Sequence, residues 1–383
     1  MGFFMIKNNS KILRNGPVVC AVGENYHIMV PVKRKVLMSV AVGDKVYANH
    51  SNGIRRTDVP VQRFIVPQKV LDSAGKYTLI YEEMIVRMAY NCIKGEKGEI
   101  EYSFKPVDKS NNINIYHISD CHGLLKPSVD AASFFGDELD LLILNGDIAS
   151  SSSKLSDILL TYDIAFNVTK GEIPCIISRG NHDLRGKMAE KLDMLMPVRH
   201  GNSYYSVRLN SLWLLLLDCG EDKLDSHKEY SSTVACHQFR EEETAFLEKI
   251  ADDATEEYLR ENVKYKIVVS HVPFYHNNTG ESRGERPFDI EKELYTHWCD
   301  ILREKIKPHF YLAGHIHRCE VCEVGGKYDS KGINCPVVFG GKPINDTKEK
   351  SMVGAAITVY EKCAQIRFTD SNKNVLGEEK IEF

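Results

Sequence analysis

The 383-residue chain is 43% hydrophobic and 27% charged, a composition typical of a soluble globular protein with two domains or one large one. Its formal net charge of -4 argues against a general binder of nucleic acid or membrane surfaces, and no apolar run is long enough to span a bilayer. The 11 cysteines are odd in number and scattered, which is typical of reduced thiols, so we expect a cytoplasmic protein.

The first 110 residues predict β-strands separated by turn signals such as Ser51-Asn52-Gly53, and no long helical pattern interrupts them. Strands at this spacing are typical of an antiparallel sandwich of immunoglobulin or fibronectin type. We therefore expect an N-terminal β-sandwich domain at residues 1–110, which ends in a polar, turn-rich segment, and a second domain at residues 111–383. The predicted strands of the first domain are 17–22, 26–32, 36–42, 61–66, 76–82, 85–90 and 100–104.

From Asn114 onward the pattern changes to strand, loop and helix, which predicts an α/β domain. Its central strand lies in the stretch 139–147, whose apolar middle lacks helical spacing and therefore indicates burial on both faces. Helices are predicted at 129–139, 154–169, 188–196, 239–259 and 290–306. Strands are predicted at 114–119, 173–178, 204–209, 212–217, 266–270 and 309–313, and further strands of a second sheet at 337–339, 355–360, 365–369 and 380–383.

Five of these strands end in residue types that bind metal ions. Because side chains at i and i+2 of an extended stretch point the same way, Asp120 and His122 can reach one ion. Open α/β sheets place ligands at the carboxyl ends of their strands. A mixture of imidazole, carboxylate and amide oxygen suits Mn, Fe or Zn better than calcium or a thiolate zinc site. The five strand ends carry Asp120 with His122, Asp147, Asn181 with His182, His271, and His315 with His317.

These residues, taken in chain order, resemble the signature of the calcineurin-like metallophosphoesterases. The resemblance covers residues 113–383 and implies a four-layer α/β/β/α sandwich with a dinuclear metal centre. By position it implies one ion held by Asp120, His122, Asp147 and His317, and a second held by Asp147, Asn181, His271 and His315. The motifs that carry it are Asp120-x-His122, Gly146-Asp147, Gly180-Asn181-His182-Asp183, His271 and Gly314-His315-x-His317.

A β-sandwich ahead of such a domain resembles the purple acid phosphatases. The resemblance to them fails at two positions, because those enzymes have no histidine where His122 stands and carry a tyrosine ligand where this chain has Ser150. We therefore expect the metals of the wider family and no tyrosinate-iron colour.

The resemblance leads to a mechanistic hypothesis. Two transition metal ions (Mn, Fe or Zn) lower the pKa of a bridging water, and the resulting hydroxide attacks a phosphomonoester or phosphodiester. His182 directly follows the predicted ligand Asn181, so we expect it to protonate the leaving group. Asp183 either orients His182 or caps a helix.

Contacts to the substrate are predicted from residues near these motifs. Arg179 and Arg185 flank the Gly-Asn-His-Asp loop and are candidates to clamp a phosphate, with ordinary ion-pairing arginines as the alternative. His276 lies in a polar loop that follows His271 and is a candidate to touch the substrate. The charged segment 219–223 is expected to be a solvated loop, with a specificity loop as the alternative.

The leading hypothesis for the substrate is a phosphate ester of a small molecule or nucleotide. A protein phosphatase is an alternative, although the sequence contains no long basic groove or tail that would indicate a protein substrate. A nuclease is a second alternative that would need a basic stripe with aromatic residues near the site, and nucleic acid is not excluded as a partner. A non-catalytic adapter is a third, although no predicted ligand has been lost from the chain.

Overall fold

The computed structural model describes residues 11–274, 290–326, 329, 331–344 and 350–383, and the elements below belong to these residues. The α-helices are α1 (Gln68–Ala74), α2 (Leu125–Ala132), α3 (Leu155–Thr169), α4 (Leu192–Leu195), α5 (Cys236–Asp252) and α6 (Lys292–Ile301). The strands of the first half are β1 (Val18–Val22), β2 (Asn25–Pro31), β3 (Val36–Val42), β4 (Lys45–Ala48), β5 (His50–Ser51), β6 (Ile54–Arg55), β7 (Val61–Pro67), β8 (Lys76–Val86), β9 (Ile93–Ser103), β10 (Ile113–Ile118), β11 (Leu141–Asn145) and β12 (Pro174–Ser178). Those of the second half are β13 (Tyr205–Leu209), β14 (Leu212–Leu216), β15 (Tyr265–Val269), β16 (Phe310–Ala313), β17 (Cys319–Cys322), β18 (Val337–Ile344), β19 (Ser351–Val359), β20 (Cys363–Thr369) and β21 (Val375–Glu382).

Strand β18 joins the two sheets of the second half of the chain. Its first residues pair in parallel with β16, whereas its last residues pair antiparallel with β19. One sheet has the order β13-β14-β15-β16-β18 with β17 on its edge, and the other continues through β19, β10, β11 and β12. The mixed α/β architecture that the sequence predicts is therefore confirmed.

Strand β14 shows how the layers are stacked, because successive side chains of a strand point to opposite faces. Leu212, Leu214 and Leu216 belong to the hydrophobic core between the two sheets. Trp213 and Leu215 alternate with them and pack in a second core that contains residues of α5 and α6. On the far side, α2 and α3 pack against each other and against the other sheet. Two sheets are thus enclosed between two layers of helices.

The N-terminal region is rich in strands, as predicted, and its strands fall into three sheets, the smallest of which is the β5-β6 pair. Strands β4, β3, β8 and β9 form a four-stranded antiparallel sheet. Strands β1, β2 and β7 instead extend the large sheet, because β1 pairs in parallel with β12 through Val19–Pro174 and Cys20–Cys175. The connection to β10 is fixed by buried Asp140, which accepts hydrogen bonds from Lys105 and Lys109. The division at residue 110 into two domains stays a prediction.

Several predicted elements have different bounds in the structure, among them the helix predicted at 239–259, which is Cys236–Asp252, and one helix was not predicted. The helix predicted at 129–139 begins earlier and is only Leu125–Ala132, with Pro127 in its first turn, where the missing N–H costs no hydrogen bond. The strand predicted at 85–90 does not form as such, because β8 runs to Val86 and β9 starts at Ile93. Helix α1 was not predicted, although Gly75 ends it in the left-handed conformation that favours glycine (φ 62°).

The described residues include all 11 cysteines, and each of them is a free thiol. Among the helices of the described residues, none combines the length and the apolar character that a membrane span requires.

Candidate metal centre

The loops that follow five strands meet at one edge of the joined sheets. Strands β10, β11 and β12 are parallel neighbours in register, with Ile118 beside Leu144 and Asn145 beside Ser178, so the loops after them start at the same level. Strands β15 and β16 are parallel neighbours as well. This register brings together the histidines and aspartates that the sequence singled out. They form three groups, and within each group the potential ligand atoms lie within 4.8 Å of one another. The groups are Asp120, His122 and His317; His122, Asp147 and His182; and Asp147, His271 and His315.

Five of these residues have left-handed backbone conformations, which are uncommon for residues other than glycine and concentrate at functional sites. The conformation turns each side chain sharply out of its strand and toward the same cavity. The five φ angles are 55° for Asp120, 43° for His122, 52° for Asp147, 69° for His315 and 50° for His317.

Asp147 lies at the centre of the arrangement and is almost fully buried. Its Oδ2 is 3.1 Å from Nε2 of His271, and its Oδ1 accepts a hydrogen bond from the backbone N–H of His182 at 2.9 Å. Gly180 permits this close approach, because a Cβ at that position would lie 2.3 Å from Oδ1 of Asp147. The loop after β12 is therefore shaped around the carboxylate at the end of β11.

The first group of candidate ligands consists of Asp120, His122 and His317. Nε2 of His317 is 3.0 Å from Nε2 of His122 and 3.4 Å from Oδ1 of Asp120. The Oδ2 atom of Asp120 accepts hydrogen bonds from Ser119 Oγ at 2.6 Å and from the backbone N–H of His315 at 3.0 Å. These bonds fix the carboxylate so that Oδ1 faces the two imidazoles.

The second group consists of Asp147, Asn181, His271 and His315. Nδ1 of His271 is 2.7 Å from the backbone oxygen of Asn145, so this nitrogen donates and Nε2 is left for the cavity. Nε2 of His271 is buried and makes no well-aligned hydrogen bond to a described residue, although Oδ2 of Asp147 lies 3.1 Å away. One terminal atom of the Asn181 amide lies 2.9 Å from Nδ1 of His315 and 3.3 Å from Oδ2 of Asp147. An amide nitrogen at this place donates to both neighbours, whereas an amide oxygen there can serve as a metal ligand.

These contacts fit a metal ion. Acceptor atoms that face one another repel unless a cation or a proton lies between them. A histidine that donates one ring N–H to a carbonyl, as His271 does, presents its other ring nitrogen as a metal ligand. Burial lowers the pKa of His271, but Asp147 and Asp120 overcome this effect and raise it to about 10. Burial alone would raise the pKa of Asp147, but His271 and His182 hold it below its ordinary value. The cavity thus attracts positive charge.

The ring of His182 borders the same cavity without being needed in either group. Its Nδ1 is 2.9 Å from the backbone oxygen of Ser150, and its Nε2 is 3.9 Å from Oδ2 of Asp147. Asp183 accepts hydrogen bonds from the backbone N–H groups of Gly180 at 2.8 Å and Asp147 at 3.3 Å. These bonds favour the capping role for Asp183 and leave Ser150 to orient His182. Burial and the charge of Asp147 raise the pKa of Asp183 to about 6.

The two arginines predicted to clamp phosphate are both engaged by carboxylates. Arg179 donates from Nε to Asp218 at 2.7 Å. Arg185 binds Glu221 through two hydrogen bonds of 2.7 and 2.8 Å. Both side chains therefore form the ion pairs that the sequence analysis gave as the alternative to phosphate binding. Their contact with a substrate stays a prediction. The other predicted contact, His276, lies outside the described residues.

The sequence reasoning missed Asp222, in the segment expected to be a solvated loop. Asp222 is buried, and its Oδ2 lies 3.6 Å from Nε2 of His315, on the far side of the ring from Asn181. Tyr230 and Lys223 contact its other oxygen, each at 3.1 Å. Burial would raise the pKa of Asp222, but the nearby His315 and Lys223 hold it below its ordinary value. Polar residues just after a parallel strand were the signal used elsewhere, and applied to β14 it would have found Asp218 rather than Asp222, which lies six residues beyond Leu216.

Comparison with known proteins places this geometry in a family. The profile of the calcineurin-like phosphoesterases matches residues 113–319, which is more than half of the chain and includes every candidate ligand. A search of curated protein sequences finds no match.

Solved structures with similar folds span nearly the whole chain. The purple acid phosphatase PPD1 from yellow lupin (Lupinus luteus) seeds aligns with a TM-score of 0.58 and 13% identity over 97% of this chain and 75% of that one. The structure of PhoD aligns with a TM-score of 0.56 and 11% identity over 98% of this chain and 93% of that one. Identities this low establish the fold alone. The family match is the finding that identifies the protein: this chain belongs to the calcineurin-like phosphoesterases, hydrolases that act on phosphate esters.

Proposed function

We propose that the chain is a dinuclear-metal-dependent phosphoesterase that hydrolyses phosphomonoesters or phosphodiesters of small molecules or nucleotides. The observation that carries the proposal is the convergence of two ligand groups on Asp147, with Nε2 of His271 only 3.1 Å from its Oδ2. Asp120, His122, Asp147 and His317 would hold one ion, and Asp147, Asn181, His271 and His315 the other. When bound, such ions neutralise the phosphate oxygens and supply water of lowered pKa as the nucleophile.

The protein's own groups prepare the site for this chemistry. The Asn145 carbonyl fixes the ring of His271, and the backbone N–H of His315 fixes the carboxylate of Asp120, so little reorganisation is needed on binding. The metals compete with protons for the imidazoles, so we expect metal binding to release protons and to weaken in acid. The donor set of imidazole, carboxylate and amide oxygen supports Mn, Fe or Zn.

We expect His182 to donate a proton to the leaving group, and its hydrogen bond to Ser150 supports this role. Because the carbonyl of Ser150 accepts from Nδ1, a protonated ring carries its second proton on Nε2. That atom lies on the side of the ring nearer Asp147, where the scissile bond of a bound ester would lie. The proton then moves from Nε2 to the ester oxygen as the bond to phosphorus breaks.

A substrate and metal panel tests the proposal. Stripped protein is supplied with Mn, Fe, Zn or Mg and assayed on aryl and nucleotide monoesters and diesters. We expect hydrolysis that depends on added transition metal and that is lost in Asp147→Ala. Metal binding without turnover on any ester would favour the non-catalytic adapter instead. Activity confined to phosphoproteins or nucleic acids would favour the protein phosphatase or the nuclease.

A further inference from the structure

A cavity of about 300 Å³ opens directly beside the candidate metal centre, and no motif of the family accounts for it. His317 lines one side of it. The side chain of this histidine is 48% exposed, whereas the side chains of Asp120 and His271 are almost fully buried. The metal centre is therefore open to solvent on the side of this cavity. Its other lining residues are Arg318, Cys319, Glu320, Lys342, Ile344, Val353, Phe368, Leu376 and Gly377.

Strand pairing explains why these residues form one wall. Lys342 pairs directly with Val353 across β18 and β19, and Phe368 pairs with Gly377 across β20 and β21. Val353 is two residues before Ala355, the partner of Phe368, so these side chains project from the same face of the sheet. Cys319, two residues after His317, pairs with Gly340, which is two residues before Lys342, so the segment that follows His317 borders this face.

The floor and the rim of the cavity differ in chemistry. Val353 and Phe368 are buried at its base, and Leu376 is 56% exposed at its mouth. Lys342 is exposed, and its ammonium is in no hydrogen bond or ion pair with any described residue. Glu320 lies 3.7 Å from Nε of Arg318 and so balances the other cation of the rim. Among the described residues that line the cavity, Lys342 is thus the cation that no carboxylate balances.

We propose that this cavity binds the leaving group of the substrate. The size of the cavity, at the lower end of the range for ligand pockets, fits one ring-sized apolar group. The ammonium of Lys342 adds a preference for a second negative charge, such as a carboxylate, on that group. The inference rests on the proposed function and deepens it: the substrate class is a phosphate ester of a compact, apolar alcohol that carries an acidic substituent.

A matched pair of substrates tests the charge preference. Phenyl phosphate and 4-carboxyphenyl phosphate differ by one carboxylate, and they are assayed as monoesters or as methyl diesters, whichever class the enzyme hydrolyses. We expect Lys342→Ala to lower the ratio of the two kcat/KM values about tenfold, because an ion pair at the rim is lost. Lys342→Arg should restore most of the ratio. Comparing the ratio between variants cancels the different reactivities of the two leaving groups.

Lys362→Ala is the matched control. Lys362 is also exposed, but it lies in the turn between β19 and β20, beyond Val359. Val359 pairs with Ile113 at the start of β10, at the opposite end of the sheet from the metal centre. The control should therefore keep the ratio of the wild-type protein.

A second variant tests the cavity by filling it. The backbone of Gly377 does not need glycine, and among the described residues other than its chain neighbours a Cβ there would meet only Cδ2 of Phe368, at 3.6 Å. Gly377→Leu should therefore fold with an unchanged Tm yet occupy the space. We expect it to weaken the binding of benzylphosphonate and of 4-carboxybenzylphosphonate at least tenfold in calorimetric titrations, with Gly377→Ala intermediate.

The outcomes distinguish a failure of the proposed phosphoesterase function from a failure of the proposed leaving-group cavity. If wild-type protein hydrolyses no phosphate ester of the aryl and nucleotide panel, the proposed function fails, while calorimetry with the phosphonates still tests the cavity. If esters are hydrolysed but Lys342→Ala keeps the ratio and Gly377→Leu binds both phosphonates like the wild-type protein, the leaving group lies elsewhere and this inference is overturned.

Discussion

Nδ1 of His182 lies 2.9 Å from the backbone oxygen of Ser150, three residues after the central carboxylate of Asp147. One loop therefore supplies both the candidate bridging ligand and the group that orients the candidate acid. The contact uses only the backbone of Ser150, so the side chain at that position is not required for it.

The role of His182 leads to the first prediction. His182→Ala should keep both metals but lower kcat on esters with poor leaving groups by about 10²–10⁴-fold, the usual contribution of general acid catalysis. Esters with good leaving groups, such as 4-nitrophenyl esters, should lose much less because they depart without a proton. Steady-state kinetics on both classes, together with metal analysis, measures this. His297→Ala, an exposed histidine of α6, is the control. Equal losses on both classes would remove His182 from the acid role.

The second prediction concerns Asp222 as a positioning residue for His315. Asp222→Asn removes the charge that lies 3.6 Å from Nε2 of His315, so the ring is held less firmly and is a weaker ligand. Loss of such a partner typically costs 10–100-fold in metal affinity. Chelator competition should show a loss of this size for one of the two ions. Asp44→Asn, which changes an exposed turn residue, should bind metal like the wild-type protein. Unchanged affinity in Asp222→Asn would mean that Asp222 has no influence on His315.

The third prediction concerns pH and Glu243, a buried residue of α5. Burial and then the charge of Asp218 raise the pKa of Glu243 well above its ordinary value in the folded state. The folded state therefore keeps a proton that the unfolded state loses above about pH 4.5, so folding loses stability as the pH rises from there.

Glu243→Gln removes this dependence because glutamine cannot ionise. Relative to the wild-type protein its free energy of unfolding should rise with pH, by at most about 1.4 kcal/mol per pH unit. Thermal unfolding of the stripped proteins between pH 5 and pH 8 measures the trend, with exposed Glu242→Gln as the control. A Tm difference that stays constant over this range contradicts the prediction.

Much of the metal site could be predicted because it obeys a local rule. Each of the strands β10, β11, β12, β15 and β16 is apolar, and the polar residues directly after it lie at the carboxyl edge. Asp222 does not follow this rule, because it lies six residues beyond the end of β14, in a segment whose charges suggested solvation. Its burial depends on Tyr230 and Lys223, which the strand pattern does not reveal.

The sequence does not predict which residues far apart along the chain pair with each other. Arg185 is 36 residues from Glu221, and the residues next to Arg185 in the sequence do not indicate that it forms two hydrogen bonds with Glu221. The parallel pairing of β1 with β12 joins residues more than 150 positions apart, and both strands are apolar enough to suit many neighbours. The same limit explains why short alternating strands predicted a sandwich in the N-terminal region without showing that three of them extend the catalytic sheet.

The most direct test of the dinuclear centre is the number of transition metal ions bound per chain, measured by elemental analysis after reconstitution and desalting. We expect two ions in the wild-type protein, one in His317→Ala and none in Asp147→Ala, because the proposed ligand sets assign Asp147 to both ions. A single ion in the wild-type protein, or two ions retained in Asp147→Ala, would contradict this account.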